Sequence, residues 1–472
     1  MSNASLIEKR SIDYVPLSER HGKVWHLWPI WFAGDANLGT LAIGAIGPVA
    51  HLPLLWSLIA IITGCAFGTF FMAFHSTQGP QMGLPQMIQS RPQFGYMGAL
   101  LVWVVAIITY FGYNIVCHII AGKAVHQVAG FSETMAYVPF GSVAIGLAVV
   151  GYKWIHVAQR WLSYFMIAAL VIFTLGALSQ WDQLSASASV ADHTSSLAIK
   201  PFMGQFFAAA AYQLSWSIYV SDYSRYLPPN VGVRASFWWT FLGAGIGGGW
   251  MMAVGAIAVV VSANVDVVAG IVQTGNAILP HLGIAVLLGA LLGLLTITSL
   301  NFYGASLTLL SIMDSLSITH AAIRNRVFAL SVMFVPTLII AYLARDEFVA
   351  LYSSFLSIII YLFTPWTAIN LVDFYFLRKG HYSINEIFNK DGMYGLWNKT
   401  GIASYLIGFM AMIPFFSTDA YEGFIAKLLG GVDISMLIGL PVSAFIYLRF
   451  NTNYDSAREF ELIALADANL PA

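Results

Sequence analysis

Apolar positions fall along the chain in long runs that are hydrophobic all round, broken by short polar stretches. The runs cover 26–47, 53–75, 94–120, 137–152, 161–180, 202–220, 236–262, 284–312, 327–344, 348–371, 402–417 and 434–448. A span of the bilayer core needs about 20 such residues in a helix, and an amphipathic surface helix would keep one polar face. Barrel strands would be about ten residues long with strict alternation, and most of these runs are about twice that. The pattern therefore predicts an all-α polytopic membrane protein with twelve transmembrane helices.

Composition removes the soluble alternatives. Of 472 residues, 58% are hydrophobic and 9% charged, where a soluble domain carries about 25% charged residues; the mean hydropathy is +0.75. Between Lys23 and Arg91 the only charged residue is Asp35. The lipid bilayer is thus the expected partner. A net charge of −1 with no basic stripe gives nucleic acid no footing. Cys65 and Cys117 both lie inside apolar runs, so neither a disulfide framework nor a metal-binding cysteine pair is expected. Residues 1–23 carry seven charges and no apolar core, so no cleavable signal peptide is expected.

Orientation follows from the basic residues. With twelve spans, 17 of the 21 lysines and arginines fall in the tails and even-numbered loops, which the positive-inside rule assigns to the cytoplasm. Both termini are then cytoplasmic, in a cell membrane, most plausibly the inner (plasma) membrane of a bacterium. The domain reading is a tail over 1–25, one transporter domain over 26–448 and a second tail over 449–472. Two longer loops, 181–200 outside and 378–400 inside, read as polar and exposed.

Polar residues inside the spans are the candidates for chemistry. Asp35 is the sole carboxylate placed within a span, in the stretch Trp31-Phe-Ala-Gly34-Asp35-Ala-Asn37-Leu-Gly39-Thr40. Intramembrane charges are costly and mark cavities or partners. Two glycines and two polar side chains there suit a discontinuous helix whose freed backbone lines a site. A purely structural Asp capping the break remains open. In the third span Tyr110 and Asn114, four apart, share a helical face; they suit a planar ligand, stacked and hydrogen-bonded at its edge, or equally interhelical bonding. Gln213, Ser215 and Trp216 crowd the sixth span, with Trp216 read as a stacking ring or an interfacial anchor. Asp222 and Arg225 beyond it read as a helix-end pair. Thr296, Thr298 and Ser299 in the eighth span are able to coordinate a small hard cation or to bond their own helix. Gly247-Gly248-Gly249 lacks a phosphate-loop context and reads as helix packing. His75 and His118 read as packed or hydrogen-bonded. No constellation of nucleophile, base and orienter is present in the spans, so an enzyme is not expected.

Three stretches carry a family resemblance. They are Pro365-Trp366 through Asn370, Asp373, Arg378-Lys379-Gly380 and Tyr382; Gly392 through Tyr394, Trp397 and Asn398; and Ser221-Asp222-Tyr223-Ser224-Arg225-Tyr226. The whole chain resembles the first class of nucleobase–cation symporters, the purine–cytosine permease and hydantoin/allantoin transporter family. Ser215-Trp216 and Asn301-Phe302-Tyr303 look closer to its purine–cytosine branch. The resemblance implies two inverted five-helix repeats, 26–180 and 202–371, plus two extra helices over 402–448, with substrate and cation bound at the midplane between spans one, three, six and eight.

On this resemblance Asn114 matches the substrate-bonding carboxamide and Tyr110 takes the place of a stacking Trp. Trp216 matches the second stacking ring, with Gln213 able to take that position instead. Asn301 matches a substrate-bonding or pocket-shaping Asn, and Asp35 stands where the family more often has Asn or Ser. For a sodium ion, Gly34 and Asn37 would be joined by Thr298 or Ser299, while Leu300 departs from the second hydroxyl of sodium-coupled relatives; the coupling ion is a proton or sodium, with a slight lean to protons. The expected function is a secondary active transporter importing a nucleobase such as cytosine or a purine by cation symport, with no cofactor. Alternatives are a same-fold transporter of hydantoin, allantoin, a vitamin or another small heterocycle, and, further off, a membrane receptor or enzyme.

Overall fold

In the computed structural model, which describes residues 12–150, 152–182, 197–316 and 323–468, the first apolar run is broken into pieces. Helix α1, Leu27–Asp35, ends at Ala36, and α2, Leu38–Gly44, starts afresh after Asn37. Asn37 joins the two ends. Its Oδ1 accepts from the backbone N–H groups of Gly39 (2.8 Å) and Thr40 (3.2 Å), capping α2, and its Nδ2 donates to the freed Gly34 carbonyl at 2.7 Å. The break thus satisfies its own backbone groups, as hydrocarbon demands.

The other elements follow in order: α3 Leu54–Ser76, α4 Leu100–Ala129, α5 Tyr137–Val150, α6 Tyr152–Ser179 and α7 Ile199–Ser215. After α7 the sixth run tightens to a 3-10 turn, Trp216–Ile218, pivots at Tyr219 and resumes as α8, Val220–Ser224. Then come α9 Gly232–Ser262, α10 Val267–Ile278, α11 Leu282–Ser315, α12 Ile323–Ala344 and α13 Phe348–Val372. The chain closes with α14 Ile384–Phe388, α15 Lys399–Met412, α16 Ser435–Phe450 and α17 Ser456–Ala466. Among the described residues the regular secondary structure is helical, with one isolated bridge, Ser417 to Glu422. Six helical segments among them are long and apolar enough to cross a membrane: Leu54–Met82, Leu100–Ala129, Trp161–Ser179, Pro229–Ser262, Leu282–Met313 and Phe328–Leu377. The first and sixth runs are absent from that set because they are broken.

Close backbone approach sets the packing. A Cβ at Gly44 would lie 1.8 Å from the Met252 carbonyl, and one at Gly255 would lie 2.0 Å from that of Leu41, so α2 lies directly on α9. Gly64 and Gly68 do the same for α3 against α7, at 2.1 Å from the Phe206 carbonyl and 2.3 Å from that of Ala210. In lipid, small residues of this kind let helices gain dispersion contacts that larger side chains would prevent.

One expectation is corrected. The 378–400 loop is only partly exposed: Lys379, Asn389 and Lys390 face outward, while Tyr382, Ile384, Ile387 and Tyr394 are buried. Asp467 beyond α17 caps α14, accepting from Ser383 Oγ (2.7 Å) and the Ile384 (2.8 Å) and Asn385 (3.1 Å) backbone N–H groups. The C-terminal segment therefore carries a docked helix over 456–466. Beneath it Asp373 is fully buried and surrounded by four donors: Arg378, Tyr447 (2.8 Å), Gln93 (2.7 Å) and Tyr382 (2.8 Å). Arg378 also bonds Glu459 of α17 at 2.7 Å. Burial, with Asp373 next in weight, pushes the Tyr382 phenol well above the usual tyrosine range, so it stays a donor. Residues 183–196 of the other long loop lie outside the described residues.

Helix α10 was not among the predicted spans, and at 12 residues it is too short for one. Asp266 caps it, accepting from Val268 (2.9 Å) and Ala269 (3.3 Å), and pairs through its other oxygen with Lys123 at the end of α4, at 2.7 Å. Asp266→Ala should cost about 1–2 kcal/mol, mostly through the lost cap. The half-exposed ion pair adds under about 1 kcal/mol, so Lys123→Met should shift the unfolding temperature much less; equal shifts in a thermal unfolding comparison would overturn this division.

Candidate functional site

The two breaks lie side by side. Tyr212 of α7 shares a 2.5 Å hydrogen bond with Thr40 of α2 and accepts from Asn37 Nδ2 at 3.1 Å. Further along, Gln205 of α7 accepts from the Gly47 N–H at 2.6 Å and donates to the Ile43 carbonyl at 3.2 Å. Helix α11 closes against the first break: a Cβ at Gly293 would lie 2.5 Å from the Ala36 carbonyl.

A small cavity opens where these elements meet α4 and α13. Helix α4 presents Thr109, Tyr113, Val116 and Cys117; α7 and its 3-10 turn present Tyr212, Ser215, Trp216 and Ile218. Tyr219, Tyr352, Ile297 and Asn301 complete the wall. The rings meet edge to face, Tyr113 with Tyr212 at 5.9 Å, Tyr212 with Trp216 at 5.7 Å and Trp216 with Tyr219 at 5.5 Å, a geometry that favours aromatic packing. Tyr113 donates to Ser215 (2.8 Å), which donates to the Tyr212 carbonyl (2.6 Å). The Trp216 Nε1–H is buried without a partner.

The residues singled out from sequence fall into groups. Trp216, Asn301 and Asn37 line the cavity. Asn114 is fully buried beside it, and both atoms of its carboxamide lack partners. Tyr110 does not itself line the cavity but lies behind Tyr219: the two rings stack at 5.7 Å and 22°, and the Tyr110 hydroxyl end lies over Gly304. Asp35 and Gln213 form a separate pair, Gln213 Nε2 donating to Asp35 Oδ2 at 3.1 Å, against α9. Gly248 makes room for it, since a Cβ there would lie 1.9 Å from Gln213 Nε2 and 3.2 Å from Asp35 Oδ2. Asp35 Oδ1 and Gln213 Oε1 are buried without partners. Of the cation candidates, the Gly34 carbonyl accepts from Asn37, Thr298 donates to the Leu294 carbonyl at 2.7 Å, and the Ser299 hydroxyl is buried without a partner.

Tyr113, Cys117, Tyr212, Tyr219 and Tyr352 were not singled out. On α4, Thr109, Tyr113, Val116 and Cys117 repeat at helical spacing, about 100° around from Tyr110 and Asn114. Tyr352 carries no such signal.

A model of the family described as permease for cytosine/purines, uracil, thiamine, allantoin matches residues 14–439. The chain belongs to this family. The permease is 32% identical over 449 residues to the putative purine-cytosine permease YxlA of Bacillus subtilis, covering 93% of this chain and 95% of that one. It is 25% identical over 465 residues to the purine-cytosine permease fcyB of Emericella nidulans, covering 94% and 88%. Its fold is that of Mhp1, a nucleobase-cation-symport-1 family transporter solved in a closed conformation with bromovinylhydantoin bound: TM-score 0.73 at 16% identity, over 97% of this chain and 100% of the other. This permease is a multi-pass membrane transporter of the nucleobase–cation symporter family, and not an enzyme.

Proposed function

We propose that this permease imports a nucleobase, cytosine or a purine, by proton symport with alternating access. The observation that carries the reading is the ring-walled cavity at two adjacent helix breaks, with Asn301 and Trp216 on its wall. A planar heterocycle offers faces to aromatic rings and a donor–acceptor edge to carboxamides, each with one acceptor and two donors. Trp216 and Tyr113 sandwich the base, Tyr113 taking the stacking place that the resemblance gives to Tyr110. Asn301 and Asn114 read its edge.

The same reading gives twelve spans, with 26–180 and 202–371 as inverted repeats and 402–448 as two extra helices. In its support, the broken helix stands first in each repeat, the arrangement that puts freed backbone at the midplane. Both tails are cytoplasmic, in the plasma membrane.

Proton coupling rests on Asp35. Its carboxyl is buried and takes a hydrogen bond from the neutral Gln213, and an intramembrane acid so placed is a carrier able to bind and release a proton as access alternates. The sodium alternative of Gly34, Asn37, Thr298 and Ser299 has its Gly34 carbonyl and Asn37 Oδ1 already engaged.

The test is uptake by purified protein in liposomes, with labelled cytosine, adenine, hypoxanthine, hydantoin and allantoin under imposed proton or sodium gradients. An amino-bearing base should accumulate under an inward proton gradient without sodium. Asp35→Asn should still bind it yet fail to concentrate it. Accumulation that needs sodium and ignores the proton gradient would move coupling to the Ser299 set. Accumulation of hydantoin or allantoin alone would sink the choice of substrate, and binding without accumulation under either gradient would make the protein a receptor.

A further inference from the structure

Beyond the central cavity, a second pocket lies between α8 and α11, lined by Tyr219, Asp222, Tyr223, Arg225, Tyr303 and Leu307. Tyr219 alone of these also lines the central cavity. Its ring stacks on Tyr110 of α4, 5.7 Å between centroids and 22° between planes. The pair rests on α11 at Gly304, where a Cβ would come within 2.7 Å of both Tyr110 Cζ and its hydroxyl oxygen. Three elements therefore meet at one seal. The backbone of Tyr219 (φ −143°, ψ 13°) is neither 3-10 nor α and separates Trp216–Ile218 from α8. Such element-terminal residues are where a chain absorbs a hinge movement.

We infer that the Tyr110–Tyr219 stack is the inner gate of the permease, the floor that must part before a bound substrate passes from the central cavity to the Asp222–Arg225 pocket and out. Tyr219 moves with the pivot of the broken helix, while Tyr110 stays on the unbroken α4. The gate therefore opens by unstacking rather than by bending α4. The Gly304 position keeps Tyr110 flat: any side chain there would lift the ring off its seat. This assignment rests on the orientation proposed above, which makes the Asp222–Arg225 side cytoplasmic.

Cys117, on the cavity wall, reports the state of the gate. In a Cys65→Ala background, a charged, membrane-impermeant methanethiosulfonate is applied to right-side-out and to inverted vesicles, and the rate of Cys117 modification is followed. A stacked aromatic pair is worth about 0.5–1.5 kcal/mol beyond its buried area, so losing it should raise the open fraction by up to about tenfold. Tyr219→Ala should therefore label up to about tenfold faster than its parent in inverted vesicles, with Tyr219→Phe, which keeps the ring, close to the parent. Gly304→Ala, which displaces Tyr110 with both tyrosines intact, should also label faster and covers the case in which Tyr219→Ala folds poorly. Parent-like rates in both Tyr219→Ala and Gly304→Ala would overturn the gate, as would equal acceleration in Tyr219→Phe. Acceleration confined to right-side-out vesicles would uphold the gate and reverse the orientation.

Discussion

Asp373→Ala is expected to destabilise the permease by about 3–5 kcal/mol, the usual cost of removing one partner from a buried ion pair. The carboxylate is fully buried and receives bonds from Arg378, Tyr447, Gln93 and Tyr382. Its loss leaves four donors facing nothing, and Glu459 alone to balance the Arg378 guanidinium. Tyr382→Phe removes one bond and keeps the ring, so it should cost only about 1 kcal/mol. The check is thermal unfolding of detergent-purified protein followed by size-exclusion fluorescence. Asp373→Ala and Tyr382→Phe melting within a degree of each other would show that the cluster does not act as a unit.

Asn114→Ala should abolish measurable substrate binding and leave the empty protein folded. Both polar atoms of the Asn114 carboxamide are buried without partners, and each such atom costs about 1–3 kcal/mol until something fills it. Truncation removes that penalty from the free state while removing two hydrogen bonds from the bound one, together worth about 100-fold or more in affinity. The ligand-dependent rise in melting temperature, which follows from mass action, should vanish, while the melting temperature without ligand is unchanged or higher. A variant that melts lower but keeps the ligand shift would mean that Asn114 supports packing and touches no substrate.

The broad architecture was legible because hydrocarbon leaves the backbone few options, and runs such as 53–75 and 284–312 have no reading but helix. The first break was legible too, since Gly34, Asp35 and Asn37 are residues that an uninterrupted lipid-facing helix would not hold together. Rotation about a helix was not legible. Tyr110 with Asn114 and Tyr113 with Cys117 are equally good faces by spacing, and only partners distant in sequence, such as Tyr219 and Tyr352, set which side chains line the cavity and which lie buried beside it. The 378–400 segment was misread for a related reason. Its polar residues suggested solvent, yet they bond to one another, to Asp373 and to a C-terminal segment some eighty residues further on, and sequence distance conceals such pairing.

The Asp373 cluster also bears on the order in which the chain is made. Asp373 and Arg378 are synthesised before Tyr447 and Glu459, the last members of their network to leave the ribosome. Until those arrive, a nascent permease holds a charged pair whose bonding is incomplete, at the base of helices already apolar enough to insert. Completion of the polypeptide is thereby written into the fold. A chain halted before α16 differs from the finished one by a buried ion pair left without two of its bonding partners.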